Sequence, residues 1–364
     1  LLVIALDPFL IQPIFRNRVW GGERLGPWLA PHSQSLDRFV QCRTRGSVGE
    51  AWLIADLPAT ILDGKASIAS GPHAGQTLHQ LLGDPVLRRA LMGRALGHNK
   101  QNHAEFPLLV KILDAGQNLS VQVHPDARYS ARNPHSHMKS EMWLVLDADA
   151  DAVIYRGIRP DITRAQCERH IQEDTLLEIM ITQPARRGDC FWLPSGICHA
   201  LGAGVLVAEV QTPSDTTFRM WDWGRNDPAR PLDLQAAMEC LLLGDDQDLA
   251  NLDRTRTPNL MRAQSIEIER LVRTDWFDVE RWIARAGSAL RHDGIGVPVV
   301  WTILDGSFCP ANGAALMPRG STLILPAEHG GFDGVAGPDG VEILVTTLPD
   351  PAKLAHEFGG TRLA

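Results

Sequence analysis

Gln122 and His124 stand two residues apart in Asn118-Leu-Ser-Val-Gln-Val-His-Pro-Asp126, a β-branched run that Pro125 ends abruptly. Side chains alternate across a strand, so residues i and i+2 share one face and can meet one ion. Further on, Lys139-Ser-Glu-Met-Trp-Leu-Val-Leu146 opens a second strand with Glu141 near its start. Gly188-Asp-Cys-Phe-Trp-Leu-Pro-Ser-Gly-Ile-Cys-His-Ala200 delivers His199 just after a Pro-Ser-Gly turn. Two imidazoles, a carboxylate and a carboxamide are a fitting donor set for one catalytic Zn²⁺ per chain that keeps a position open for water or substrate. Cys198, beside His199, faces the opposite way on a strand and is expected to pack rather than ligate.

These donors need short strands to aim them. The first sixty residues read as strands and turns, punctuated by Gly, Pro and Asp. A helical insert is expected at about 76–96, where Leu78, Leu81, Leu82, Leu87 and Leu91 form one stripe and Pro85 divides it. A second insert is expected at 163–180, with Thr163 as N-cap and a turn near Leu176 to Met180. Pro231 to Leu243 reads as a helix with Pro in its first turn. The polar, Asp-rich stretch 244–258 reads as a linker, and from Ile266 onward Gly-separated strands suggest a small β-sandwich or barrel. His292 and His329 appear there as isolated histidines.

Several segments together resemble the type I mannose-6-phosphate isomerases of the zinc-dependent cupin superfamily. They are Phe15-Arg-Asn-Arg-Val-Trp-Gly-Gly22, Gly49-Glu-Ala-Trp52, Phe106-Pro-Leu-Leu-Val-Lys-Ile-Leu113, the run Ala200 to Gln211, and Ser214-Asp-Thr-Thr-Phe-Arg219. The resemblance runs from about Pro13 to Arg225, with a fainter echo to the end. It implies a mainly β chain: a cupin-type β-barrel or jelly-roll catalytic domain with helical inserts (1–243), the linker (244–258) and a smaller second cupin-like β domain (259–364).

The resemblance implies reversible isomerisation of D-mannose 6-phosphate and D-fructose 6-phosphate, with Zn²⁺ on Gln122, His124, Glu141 and His199. Arg219 would stabilise developing negative charge or anchor phosphate, since a guanidinium offers rigid paired donors. Lys139 would support it, with Lys111 and Arg225 as further substrate-binding residues. Glu209 and Asp215 are the candidate proton carriers, although Glu209 could instead fix His199 or Arg219. His135 and His137, in Asn133-Pro-His-Ser-His137, are expected in a loop at the site mouth, a departure from the family's usual loop. Other readings are a different phosphosugar isomerase or epimerase, a non-catalytic sugar-phosphate sensor and, less fittingly, an iron dioxygenase.

Composition narrows the field. An apolar content of 44% with 21% charged residues is that of a soluble globular protein, expected as a monomer or weak homodimer. A net charge of −8 without a Lys/Arg block gives no footprint for nucleic acid, so a phosphorylated substrate needs a local basic pocket. No apolar run approaches the ~20 residues of a membrane span, and no membrane association is expected. The opening Leu-Leu-Val-Ile-Ala-Leu is too short and uncharged for a secretory signal. Six cysteines without Cys-x-x-Cys spacing fit a reduced cytoplasm. No Gly-x-Gly-x-x-Gly follows a strand, so a dinucleotide cofactor is not expected. Ten tryptophans against two tyrosines suggest bulky packing around the strands.

Overall fold

The computed structural model describes residues 6–97, 105–225, 227–228, 230–247, 257–262 and 265–350. The chain is mainly β, built from three antiparallel sheets. A six-stranded sheet runs Cys190–Leu193, Glu141–Ala148, Val205–Gln211, Leu109–Ala115, Val48–Ile54, Ile14–Asn17. A five-stranded sheet runs Phe218–Trp221, Val121–Val123, His199–Leu201, Val153–Ile158, Met180–Pro184.

The central strands of the first sheet are buried on both faces, and their period of two divides the labour. Leu206, Ala208 and Val210 join Val110, Ile112, Met142 and Leu144 in one core on the outer face. Val205, Val207, Leu113, Trp143 and Val145 turn inward to a second core, shared with Ile154 and Leu201 of the five-stranded sheet. Lys111, Glu141, Glu209 and Gln211 occupy inward positions of the same strands. The functional side chains therefore replace apolar residues on a face that is otherwise core.

Both expected inserts form. Thr77 and Gln80 make a capping box for the helix Leu78–Gly83, and Pro85 opens the next helix, Pro85–Met92, with Asp84 capping it. Thr163 caps Arg164–Gln172, again with a capping box, and a 3-10 turn follows at Leu176–Glu178. Two helices contradict the expectation of strands and turns in the first sixty residues: Leu25–Leu29 and Ser33–Arg43, the latter burying Phe39 and Cys42 three residues apart. The helix expected from Pro231 starts only at Leu234 and ends at Cys240. Its delay has a cause, because the Asp233 N–H donates to the Arg219 carbonyl and holds the chain against the sheet.

The third sheet has ten strands and takes in every strand from Thr257–Arg262 onward. It also recruits Phe9–Gln12, paired with Thr322–Leu325, and Ser67–Ile68 beyond it. The proposed division near 244–258 is thus crossed by N-terminal strands. The stretch itself is anchored at its start, where the buried Gln247 amide exchanges hydrogen bonds with the Ile158 backbone (2.8 and 2.7 Å). At its other end Thr257 and Pro258 belong to a strand, and 248–256 lie outside the described residues. No helix among the described residues is long and apolar enough to cross a membrane.

Candidate metal centre

His199 lies directly opposite Gln122, which lies directly opposite Arg219 on its other side. His199 is also opposite Arg156. Directly opposed residues share a face, so Arg219, Gln122, His199 and Arg156 form a row across the five-stranded sheet. The six-stranded sheet presents its own row, Trp143, Glu209, Lys111 and Trp52. The rows face each other, since the Trp143 ring meets His199 edge-on at 5.4 Å between centroids. His124 follows the strand of Gln122 by one position, and its carbonyl accepts the N–H of Gly196 at the Pro-Ser-Gly turn (3.0 Å). Gly196 takes φ +87°, the left-handed conformation this turn requires.

The donor atoms of His124, Glu141 and His199 lie within 4.8 Å of one another, and all three side chains are fully buried. His124 Nδ1 is 3.1 Å from the Thr216 carbonyl and His199 Nδ1 is 2.8 Å from that of Ile197. A carbonyl only accepts, so each Nδ1 carries the proton and each Nε2 turns a lone pair inward. Those lone pairs face Glu141, at 3.5 Å from His124 and 3.1 Å from His199. Glu141 Oε1 and His124 Nε2 have no hydrogen bond, and Glu141 Oε2 meets the Lys139 ammonium. Acceptors converging in a buried pocket fit a cation, and the backbone carbonyls behind the imidazoles are the usual orienting partners of metal-binding histidines. The Gln122 amide nitrogen is 3.3 Å from His199 Nε2. Turning that amide over would present its oxygen to the same point.

Charge around the site is arranged in pairs. Lys139 Nζ is 2.7 Å from Glu141 Oε2. Burial alone would raise the Glu141 pKa, but Lys139 and His124 hold it well below the usual carboxylate range. Burial and the Lys139 charge push His124 down to about 3 against the pull of Glu141, so the imidazole is neutral and ready to ligate. Lys111 Nζ is 3.0 Å from Glu209 Oε1 and donates to Gln211 Oε1 at 2.7 Å. The Trp143 indole donates to Glu209 Oε2 at 2.8 Å. Burial and nearby Glu141 raise Glu209 above its ordinary value, outweighing Lys111 and Lys139. Burial opposes the charge on Lys111, yet Glu209 and Glu50 raise its pKa overall.

The expected residues do not all occupy equivalent places. Gln122, His124, Glu141 and His199 converge, with Lys139, Lys111 and Glu209 buried around them. Arg219 is half-buried in the row and makes no ion pair among the described residues. Asp215 is exposed. Arg225 donates to Asp222 and to the Asn118 carbonyl (2.8 Å), so its guanidinium is engaged. His135 is exposed, while the His137 backbone binds Thr216 and Ser214. Cys198 packs against Met220, away from the donors.

Sequence reasoning missed Glu50, Arg18 and Gln211. Glu50 accepts from Arg18 (2.7 Å) and Trp52 (2.5 Å); burial opposes its charge, but Arg18 and Lys111 hold its pKa at about 2. The signal was Gly49 beside it. A Cβ there would lie 2.6 Å from Trp20 and 2.7 Å from Arg18, so only glycine admits this packing.

A sequence model of the catalytic domain of type I phosphomannose isomerases matches residues 9–147. The mannose-6-phosphate isomerase of Streptococcus mutans serotype c is 30% identical over 333 residues, covering 90% of this chain and 96% of that protein. The chain belongs to the type I phosphomannose isomerase family. It is also similar to the mannose-6-phosphate isomerase ManA of Bacillus subtilis, at 27% identity over 90% of this chain and 96% of that one. The crystal structure of the mannose 6-phosphate isomerase from B. subtilis shares the fold, with a TM-score of 0.76 at 24% identity, over 94% and 99% of the two chains.

Proposed function

We propose that the protein interconverts D-mannose 6-phosphate and D-fructose 6-phosphate as a zinc-dependent enzyme. The observation that carries this reading is the buried His124–Glu141–His199 set, whose inward atoms are all acceptors, ringed by Lys139, Lys111 and Arg219. Gln122, through its amide oxygen, is the fourth ligand in this reading. Zn²⁺ fits imidazole and carboxylate donors and, when bound, would polarise substrate oxygens as a Lewis acid.

The reaction moves a proton from C2 to C1 of an opened sugar through an enediol, and it needs a base, an acid and positive charge. Glu209 suits the proton-carrying role, because burial and the neighbouring Glu141 raise its pKa above the ordinary carboxylate value. Lys111 and Trp143 hold that carboxylate in place. Lys139 keeps Glu141 ionised and supplies charge beside the reacting oxygens. Arg219, opposite Gln122 and without a carboxylate of its own, is the group assigned to the enediolate. Asp215 lies at the rim, a weaker candidate for proton transfer.

We assign catalysis to residues 1–243, as a cupin-type barrel, and a cupin-like supporting role to 259–364. A monomer or weak homodimer completes this reading. The six cysteines are unpaired, consistent with a cytoplasmic setting. A coupled assay on mannose 6-phosphate, with metal analysis of the same sample, tests the reading. Turnover with close to one Zn²⁺ per chain, lost to chelator and restored by Zn²⁺, is expected. Zinc-replete protein that binds mannose 6-phosphate without forming fructose 6-phosphate would leave a sensor instead.

A further inference from the structure

Beyond Arg219 the chain makes an unusual turn. Trp223 (φ +57°) and Gly224 (φ +71°) are both left-handed, a conformation that costs a tryptophan about 1–2 kcal/mol. The turn is held from both sides, since the Trp223 indole donates to the Leu119 carbonyl (2.7 Å) and Arg225 to that of Asn118 (2.8 Å). This strained segment fixes Asp222, which is almost fully buried. Arg225 takes one Asp222 oxygen through both Nε and Nη2. The other oxygen has no hydrogen bond and lies 3.7 Å from Nη1 of Arg230.

Pairing the charges leaves a remainder. Glu50 takes Arg18, Asp222 takes Arg225, Glu209 takes Lys111 and Glu141 takes Lys139. Asp233 accepts from the backbone N–H of Arg219 at 3.5 Å and not from its guanidinium. Arg219 has no carboxylate in ion-pairing contact among the described residues, and Arg230 reaches only Asp222, at 3.7 Å. Arg219, Arg225 and Arg18 all lie near enough to lower the Arg230 pKa, after its burial, against a single opposing Asp222. Such crowding of like charge is unfavourable in the free protein and is relieved by an anion.

We propose that Arg230 is the phosphate anchor of the substrate, held at the end of the site away from the metal, with Asp222 and Arg225 as its support. The direction follows from register. The Phe218–Trp221 strand runs antiparallel to Val121–Val123, so Trp223 and Arg225 reach Leu119 and Asn118 while His124 lies at the other end. Arg219, opposite Gln122, stands between. The Arg230 guanidinium, only loosely paired with Asp222, and the unpaired Arg219 beside it match a phosphate monoester, which carries about −1.5 to −2 at neutral pH. This assignment rests on the isomerase reading for the sugar but not for the anion.

Two measurements on the metal-loaded protein test it. Inorganic phosphate should raise the melting temperature of the wild type, and Arg230→Ala should remove that rise. For mannose 6-phosphate, Arg230→Ala should raise KM about tenfold to a hundredfold, the range for one lost charged hydrogen bond, with kcat within about threefold. Arg230→Lys should fall between the two proteins, and it replaces the alanine variant should that one fail to fold with its metal. A phosphate-dependent rise and a KM both unchanged in the variant would overturn the proposal, as would a fall in kcat at constant KM. Loss of the phosphate effect in a protein whose wild type shows no isomerase activity would uphold Arg230 as an anion site and defeat the isomerase reading alone.

Discussion

Two regions of this molecule bury a pair of imidazoles, and they do different things with them. Between the six- and five-stranded sheets, His124 and His199 each spend Nδ1 on a backbone carbonyl and point Nε2 at Glu141. In the ten-stranded sheet, His292 Nδ1 lies 3.3 Å from His329 Nε2. His329 Nδ1 accepts the Gly331 N–H, so its proton is on Nε2 and is donated to His292. The second pair satisfies itself, while the first is forced by its backbone partners to leave two lone pairs facing a carboxylate. Histidine content is alike; the tautomer and the third residue differ. That difference, more than the count of histidines, separates a candidate metal centre from a packed core, and Trp282 and Trp301 flank His292 accordingly.

The harshest way to break the comparison is to remove one imidazole from each pair. His199→Ala should lose bound metal and at least about a hundredfold in turnover, measured by metal analysis and coupled assay on one preparation. His292→Phe should keep both. Equal metal loss in the two variants would erase the distinction. Next in size, Arg219→Ala should lower kcat on the order of a hundredfold, about 3 kcal/mol, with a smaller change in KM. A change confined to KM would move Arg219 from the enediolate to the phosphate.

Acid should separate the regions further. Burial and the neighbouring His329 depress His292 from its ordinary 6.5 to about 4. The unfolded chain therefore binds this proton between about pH 6.5 and 4 while the folded chain refuses it, so stability falls as pH drops through that window. The loss approaches about 3 kcal/mol near pH 4. Glu50, held at about 2, adds to it, since its stabilisation is present above the carboxylate's ordinary 4.5 and is lost as pH falls towards 2. His292→Phe should shrink the difference in melting temperature between pH 7.5 and pH 5. An unchanged difference would mean that the imidazole pair does not set the acid response.

What could be read from the chain was local. Gln122 and His124 sit two apart before a proline, and the i, i+2 rule alone put them on one face; Thr163 announced a helix start and Pro85 the break between two helices. Relations across long loops were not legible. His292 and His329, 37 residues apart, looked isolated because only the Phe332–Thr347 strand brings their segments together. Phe9–Gln12 reads as any short strand, and nothing within it says that its partner is Thr322–Leu325. The helix Ser33–Arg43 was hidden because its buried residues are few and His32 is an uncommon cap. Arg230 lay outside every motif, and its surroundings depend on three arginines scattered from position 18 to 225.

The smallest expected effect tests the finest part of the comparison, whether the amide belongs with the imidazoles. Gln122 shares its face with His199 and Arg219, but it is only partly buried and a carboxamide is the weakest donor of the set. Gln122→Ala should weaken metal binding by about tenfold while leaving the stoichiometry near one at saturating Zn²⁺, because three stronger donors remain. Gln122→Glu should restore affinity, since it returns an oxygen to the same point and adds charge. Competition against a chelator of known strength reads both. Wild-type affinity in Gln122→Ala would show that the amide serves His199 or the substrate and not the metal, and the centre would then hold the three buried donors His124, Glu141 and His199.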